Sequence, residues 1–301
     1  MKARAPGKLV ISGAYAVLYG ATAVVSAVSR YAVADTARAA ELVTPEVQAA
    51  IGPAPAPWFD ASELRGPRGK LGLGSSAAIL VASLAALELA AGGASDDGSL
   101  ARAVLERALA AHRAAQGGGS GVDVASSAHG GTLLAWREGE TLRTERVGLP
   151  PGLVWEVWAG GQPTSTASFV AEVAALAARD PGTFSAELDA LRLHAEGAAQ
   201  AVREGDARRL LAHLAGQRQG LAGLGLAAGI PIVTSEVESL GALAEREGAV
   251  VIPSGAGGGD VALFVGSEPP SGPLVALREE LGHQRLELSL EARGVHVWDG
   301  P

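Results

Sequence analysis

The 301-residue chain contains no cysteine, one methionine and only 4% aromatic residues, although 48% of its residues are hydrophobic. Without cysteine the protein has neither a disulfide framework nor a thiolate metal site. Its core must therefore be built mainly from alanine, valine and leucine. A composition this apolar is typical of a folded globular protein and excludes a disordered chain.

The sequence also shows no membrane-spanning segment, no signal-peptide pattern and no basic net charge, and each absence argues against a class of protein. No uninterrupted apolar segment has the length of a membrane span, since even the run over Ala77–Ala91 is short and contains Glu88. Pro6 and Lys8 precede any apolar stretch that would suit a signal peptide. The formal net charge of −8 argues against a general nucleic-acid-binding protein, which would carry a basic surface. We therefore expect a cytoplasmic protein with no membrane or nucleic-acid partner.

Apolar periodicity predicts strands and helices in both halves of the chain. Strands are predicted over Lys8–Ser12, Tyr15–Leu18, Ala23–Ala34, Gly130–Trp136, Val154–Ala159, Ala249–Ile252, Val261–Val265 and Arg285–Glu291. Helices are predicted over Ala77–Ala91, Ser99–Ala115, Thr166–Ala178, Phe184–Arg203, Ala207–Leu224 and Ser235–Glu247. This order predicts an α+β protein. The cluster Leu149-Pro150-Pro151-Gly152 predicts a boundary between domains of residues 1–150 and 151–301.

Three glycine-rich segments stand out: Gly72–Ala77, Gly117–Asp123 and Ser254–Asp260. Glycine permits a positive φ and lets the backbone approach a ligand closely. Backbone N–H groups at the start of a helix have no partner inside the helix, so they suit an anion such as phosphate. Three such segments in one chain indicate a phosphate-binding site.

The first of these segments fits neither common nucleotide-binding loop. A Walker loop has its lysine directly after the last glycine, whereas Lys70 precedes Gly72. A dinucleotide-binding loop follows a strand, and Arg65–Lys70 has no strand character. Two interpretations remain: amides that hold phosphates beside a serine that reaches Mg²⁺, or a tight turn in which Ser75 or Ser76 caps the helix.

The segment Ala5–Gly20 resembles the first motif of the GHMP kinases, a family that includes galactokinase, homoserine kinase, mevalonate kinase and phosphomevalonate kinase. Gly72–Ala78 resembles the second motif, which binds the phosphates of ATP, and Ser254–Asp260 resembles the third. The three motifs occur in the family order and span nearly the whole chain. The resemblance implies an N-terminal S5-like domain, a C-terminal ferredoxin-like domain and a site between them.

Within this family the intermediate segments are similar to phosphomevalonate kinase. The similar segments are Ala27–Tyr31, Gln116–Gly131 and Trp158–Thr166. This resemblance implies transfer of the γ-phosphate of MgATP to the small molecule 5-phosphomevalonate, giving 5-diphosphomevalonate, by a monomer or homodimer.

The resemblance also implies roles for individual residues. Lys8 would be the cation beside the transferred group, and Asp123 the carboxylate that accepts a proton or orients the acceptor. The ATP phosphates would be bound by Gly72, Gly74, Ser75, Ser76 and Ala77, with Ser76 also reaching Mg²⁺. Substrate would be bound by Ser120, Ser165, Thr166, Ser254, Gly255, Ala256 and Gly257.

Three residues depart from the family motifs. Ala14 replaces the usual glutamate of the first motif, and Gln162 replaces a lysine that would favour a phosphorylated substrate. These two changes leave open mevalonate kinase or another GHMP kinase acting on an unphosphorylated alcohol, or a catalytically silent binding protein. His112 stands where mevalonate kinases place a glutamate that holds Mg²⁺, and this third departure favours phosphomevalonate kinase.

Overall fold

A computed structural model describes residues 1–66, 69–160 and 166–300. The strands it describes are β1 (Lys2–Ser12), β2 (Ala23–Ala39), β3 (Pro57–Asp60), β4 (Arg65–Gly66), β5 (Gly69–Lys70), β6 (Thr132–Glu138), β7 (Thr141–Val147), β8 (Val154–Ala159), β9 (Val250–Pro253), β10 (Val261–Gly266), β11 (Gln284–Leu286) and β12 (His296–Val297). The α-helices are α1 (Pro45–Ile51), α2 (Ser75–Ala90), α3 (Asp97–Gln116), α4 (Val122–His129), α5 (Thr166–Arg179), α6 (Pro181–Glu204), α7 (Ala207–Ala228), α8 (Ser235–Arg246) and α9 (Gly272–Glu280). None of the described helices is long and apolar enough to span a membrane.

The larger sheet has the strand order β12–β1–β2–β6–β7, and β3 also pairs with β2. All of its pairs are antiparallel. Helices α2 and α4 pack against β1 and β2. Helix α2 is apolar around its whole circumference and almost entirely buried, as expected for a helix inside the protein. Because α2 and α4 lie beside β1, residues at their N-termini can meet residues of that strand.

The smaller sheet is also antiparallel and has the strand order β11–β8–β10–β9. Helices α7 and α8 pack against β9, and α5, α6 and α7 pack against one another. One continuous apolar core includes residues from both sheets, such as Leu9 and Val24 in the larger sheet and Ile252 and Leu263 in the smaller. Near the C-terminus, Val297 returns to pair with Ala3 of β1.

Most of the predicted elements are confirmed, some with closely matching bounds: β8 has the predicted limits, and α5 extends one residue further than predicted. The strand predicted over Tyr15–Leu18 is wrong. Tyr15 has a φ of 60°, and a short 3₁₀ helix over Ala16–Tyr19 follows it. The strand predicted over Arg285–Glu291 is also wrong in length, since β11 ends at Leu286 and Leu290 forms only an isolated bridge with Val28. The division into domains at residue 150 stays a prediction.

Candidate active site

Both the backbone and the side chain of Lys8 are hydrogen-bonded to the glycine loop that precedes α2. Its backbone N donates a hydrogen bond to the carbonyl oxygen of Leu73 over 2.8 Å. Its Nζ donates to the carbonyl oxygen of Gly72 over 3.3 Å. Strand β1 therefore holds the lysine against the loop, with its ammonium group beside Gly72.

The two glycines of this loop allow close approach of charged side chains. Gly72 has a φ of 70° and Gly74 a φ of 76°, a left-handed conformation that favours glycine. A β-carbon at Gly74 would lie 2.9 Å from Cγ of Lys8, and one at Gly72 would lie 3.1 Å from Cβ of Asp260. The loop thus accommodates Lys8 on one side and the end of the third motif on the other.

Gly74 is the N-cap residue of α2, so the prediction that Ser75 or Ser76 caps this helix is wrong. No side chain accepts a hydrogen bond at this helix start, and the first helical hydrogen bond runs from Ala78 N to Gly74 O over 3.1 Å. The amides of Ser75, Ser76 and Ala77 precede that bond and lie at the positive end of the helix dipole. The side chain of Ser75 is buried and Ser76 is half-buried. This arrangement can accept an anion.

The third motif is anchored to β1 through Ser254. The Ser254 hydroxyl accepts a hydrogen bond from Val10 N and donates one to Val10 O, each over 3.0 Å. The Ser254 backbone N donates to Val261 O over 3.0 Å. Both donors of Ser254 are therefore used within the chain. The following residue, Gly255, lies next to the lysine, because a β-carbon there would be 3.9 Å from Nζ of Lys8.

Tyr15 provides a second link between the first and third motifs. Its buried hydroxyl donates a hydrogen bond to the carbonyl oxygen of Ala256 over 2.7 Å. Burial raises the pKa of Tyr15 above its ordinary value, so the hydroxyl remains a neutral donor. Gly257 follows with a φ of 79°, and a β-carbon there would lie 2.1 Å from Ile232 O. Only glycine fits at that position.

Asp123 lies in the first turn of α4, beside the buried His112 of α3. Its Oδ1 accepts a hydrogen bond from Val124 N over 2.9 Å. Its Oδ2 lies 3.1 Å from Nε2 of His112. This contact is an ion pair when the imidazole of His112 is protonated.

The negative charges of Asp123 and Asp260 act on the ammonium group of Lys8. Burial lowers the pKa of Lys8 below its ordinary value, and the negative charges of Asp123 and Asp260 oppose that shift. Burial alone would raise the pKa of Asp123, but the contact with His112 and the charges of His112 and Lys8 lower it overall. The two carboxylates therefore favour the charged ammonium in a site that would otherwise disfavour it.

Gln217 belongs to no sequence motif, and sequence reasoning did not select it. It projects from α7, where its Oε1 accepts a hydrogen bond from Gly13 N over 2.8 Å and its Nε2 donates to Ser12 Oγ over 2.5 Å. Gln217 is fully buried. It holds the turn after β1, although more than 200 residues separate it from that turn along the chain.

Other predicted site residues are not joined to this cluster by a described contact. Ser120 is half-buried and its hydroxyl accepts a long hydrogen bond of 3.5 Å from Val122 N. Thr166 is exposed at the start of α5. Ser165 and Gln162 lie outside the described residues. Across residues 1–66, 69–160 and 166–300, no three or more histidine or acidic residues are grouped as a metal site.

The chain matches no protein-family model. It is 33% identical over 213 residues to phosphomevalonate kinase from Streptomyces sp. (strain CL190), a match that covers 64% of this chain. The match spans 56% of the length of that relative.

Two solved structures share the fold over nearly the whole chain. A Lin0012 protein from Listeria innocua superposes with a TM-score of 0.84 and 25% identity, covering 100% of both chains. Phosphomevalonate kinase from Streptococcus pneumoniae, in complex with phosphomevalonate and AMPPNP, superposes with a TM-score of 0.75 and 18% identity over 96% of this chain and 99% of that one. The chain is therefore similar in sequence to a phosphomevalonate kinase and shares the fold of the solved phosphomevalonate kinase structure.

Proposed function

We propose that this protein transfers the γ-phosphate of MgATP to the phosphate of 5-phosphomevalonate, forming 5-diphosphomevalonate and ADP. The observation that carries the proposal is the convergence of two glycine-rich loops on Lys8. The carbonyl oxygen of Gly72 accepts from its Nζ, Gly74 lies against its side chain, and Gly255 lies beside its Nζ. The Streptomyces and Streptococcus pneumoniae relatives support the choice of acceptor.

The start of α2 is suited to the phosphates of ATP. The amides of Ser75, Ser76 and Ala77 offer donors that precede the helical hydrogen bonds, and Gly74 places no side chain in front of them. The half-buried Ser76 would offer its hydroxyl to Mg²⁺, which is a hard cation that prefers oxygen ligands. When bound, the ion neutralises charge on the phosphates.

Lys8 would stabilise the transferring group. In the reaction an oxygen of the acceptor phosphate bonds to the γ-phosphorus, the bond from that phosphorus to the bridging oxygen breaks, and ADP leaves with the electron pair. Negative charge lies on all of these oxygens, and phosphoryl transfer depends mainly on alignment and on neutralising such charge. The ammonium of Lys8 provides a fixed positive charge for this purpose at the loop.

Asp123 would act by keeping Lys8 charged and oriented. The second pKa of a phosphate monoester is about 6, so the acceptor oxygen is already ionised near neutral pH and no proton has to be removed. A carboxylate with a lowered pKa is a weak proton acceptor but a reliable negative charge. An alcohol acceptor would instead need a base to remove its proton. A phosphate acceptor and an alcohol acceptor therefore require different roles of Asp123.

The third motif would face the acceptor. Gly255 lies beside Lys8, and we propose that it binds the acceptor phosphate with Ala256 and Gly257 through backbone groups. Ser254 would contribute by fixing this loop to β1, because its hydroxyl already bonds to Val10. Ser120, Ser165 and Thr166 remain proposals for the rest of the substrate.

The direct test is ADP release from MgATP with a panel of acceptors: mevalonate, 5-phosphomevalonate, 5-diphosphomevalonate, homoserine and galactose. The proposal predicts turnover with 5-phosphomevalonate alone. Turnover only with an unphosphorylated alcohol would reject the acceptor while retaining phosphoryl transfer. If ATP binds but no acceptor is used, the protein is a binding protein and the catalytic proposal is wrong.

A further inference from the structure

We propose that His112 is a positioning residue that acts through Asp123, and that Glu46 and Gln116 hold His112 in this role. The buried side chains of Glu46 and His112 stand between the exposed Gln116, which bonds to Glu46, and the partly exposed Asp123, which contacts His112. The inference rests on the proposed function, in which Asp123 keeps Lys8 charged and oriented.

The exposure of the two side chains distinguishes their roles. The side chain of His112 is 5% exposed, whereas that of Asp123 is 23% exposed. A substrate can therefore reach the carboxylate but not the imidazole behind it. With Val124 N on Oδ1 and His112 Nε2 near Oδ2, both carboxylate oxygens are restrained. The imidazole thus limits rotation of Asp123 without touching the reacting groups.

Glu46 supplies a second carboxylate whose charge acts on His112. It lies in the first turn of α1 and is only 6% exposed. Its Oε1 accepts a hydrogen bond of 3.1 Å from Nε2 of Gln116, which lies one helical turn after His112 on α3. A carboxylate is rarely buried without a partner, because removing its charge from water is costly. Gln116 and the nearby His112 provide that partnership.

These two carboxylates set the charge of His112. Burial lowers the pKa of His112, but its contact with Asp123 and the charges of Asp123 and Glu46 outweigh burial and raise it above the ordinary value. Two other elements pack against α3: α2, whose one charged residue is Glu88, and β12, which contributes His296. Neither of them contributes to this shift. His112 is therefore an imidazolium over more of the neutral range than an ordinary histidine.

Through His112 and Asp123, the charge of Glu46 on α1 influences Lys8. A positive His112 makes Asp123 a weaker base and a more constant negative charge, which suits holding Lys8 better than removing a proton. Without the imidazole, Asp123 would lose one of its two restraints and part of its stabilisation as an anion. Lys8 would then be less firmly held in its charged form.

The test compares His112→Leu, His112→Gln and Glu46→Gln with His213→Gln, a control on α7. His112→Leu removes the polar ring and its charge, whereas His112→Gln keeps a polar side chain with N–H groups. We expect His112→Leu to lower kcat at least tenfold with little change in the KM for ATP, and His112→Gln to recover part of that loss. Glu46→Gln should move the alkaline limb of the kcat profile to lower pH, because it removes a charge that raises the pKa of His112. His213→Gln should leave both parameters unchanged.

A second measurement keeps this inference separate from the proposed function. Proton NMR of the whole protein follows the titration of the His112 ring, with Asp123→Asn and Glu46→Gln as variants. We expect the pKa of His112 to lie above that of an ordinary histidine and to fall in each variant, whether or not any acceptor is phosphorylated. A His112 titration that neither variant moves would overturn the inference, as would an active His112→Leu enzyme with a wild-type kcat and pH profile. Failure of the acceptor panel alone would reject only the proposed function.

Discussion

The side chain of Lys8 lies across Gly74, so closely that a β-carbon on this glycine would come within 2.9 Å of Cγ and 3.0 Å of Cε. Gly74 also has a left-handed φ of 76° and forms the N-cap of α2. The absence of a side chain at Gly74 therefore allows Lys8 to lie against the loop. The same glycine begins helix α2 and leaves the amides of the first helical turn uncovered. The position of the Lys8 ammonium and that of the N-terminus of α2 therefore cannot change independently.

Gly74→Ala should reduce activity far more than its effect on stability explains. An alanine with this φ costs about 1–2 kcal/mol in backbone strain, and its methyl group would also displace Lys8. Since small displacements of catalytic groups cost about 100-fold in rate, we expect a loss of that order in kcat/KM. Steady-state kinetics and chemical denaturation measure the two effects.

Gly92→Ala is the matched control for this substitution. Gly92 has a φ of 75°, and a β-carbon there meets no atom within 4 Å. It should lose a similar amount of stability and keep its activity. Equal losses of activity in the two variants would show that strain alone is responsible and that Lys8 is not displaced.

Lys8→Met should abolish most turnover while leaving ATP binding largely intact. The substitution keeps much of the aliphatic side chain over Gly74 but removes the charge that, in the proposed reaction, stabilises the transferred group. Loss of one such electrostatic group typically costs about 10²–10³ in kcat. Kinetics and calorimetric ATP titration measure the two quantities, with Lys70→Met as an exposed control. A Lys8→Met enzyme with near-normal kcat contradicts the assignment.

Asp123→Asn should move the alkaline limb of the kcat/KM profile to lower pH. Lys8 must be protonated to act, and the charge of Asp123 opposes the effect of burial on its pKa. Removing that charge lowers the pKa of Lys8 further, so activity is lost at a lower pH as the pH rises. Asp260→Asn should shift the limb in the same direction and by less, because its charge is the smaller of the two influences. If the alkaline limb is unchanged in both variants, the two carboxylates do not control the pKa of Lys8.

The sequence predicted the parts of this site that depend on local pattern. The glycine pattern and the apolar run after it located the loop around Gly74 and helix α2. The strand predicted over Tyr15–Leu18 failed because the positive φ of Tyr15 turns the chain, which apolar residues alone do not reveal. Helix α4 was not predicted because its first turn directly follows the glycine run that ends at Gly121.

Contacts between residues distant in sequence could not be predicted in the same way. Gln217 reaches Gly13 only because α7 packs behind the turn after β1. Glu46 and Gln116 come together because α1 packs against α3. His112 was noticeable as a departure from a family motif, but its contact with Asp123 depends on how α4 is oriented against α3. These are properties of packing and have no local sequence pattern.

Ser254→Ala should destabilise the protein before it affects chemistry. The buried hydroxyl joins both Val10 N and Val10 O, and its removal leaves buried backbone groups without a partner. The expected loss is about 1–3 kcal/mol in the free energy of unfolding, measured by urea denaturation. Ser239→Ala is the control, because its hydroxyl bonds to Ser235 O at the surface. A fully stable Ser254→Ala protein with reduced activity would instead indicate direct contact with substrate.

The central claim is that a phosphate, and not an alcohol, accepts the γ-phosphate. Phosphorus NMR of a reaction containing MgATP and 5-phosphomevalonate tests it most directly, because it reports which oxygen has been phosphorylated. We predict that the signal of the acceptor phosphate is replaced by two mutually coupled signals of a new P–O–P linkage, in step with ADP formation and absent with Lys8→Met. A new uncoupled monoester signal, or unchanged 5-phosphomevalonate while another acceptor is consumed, would contradict the account.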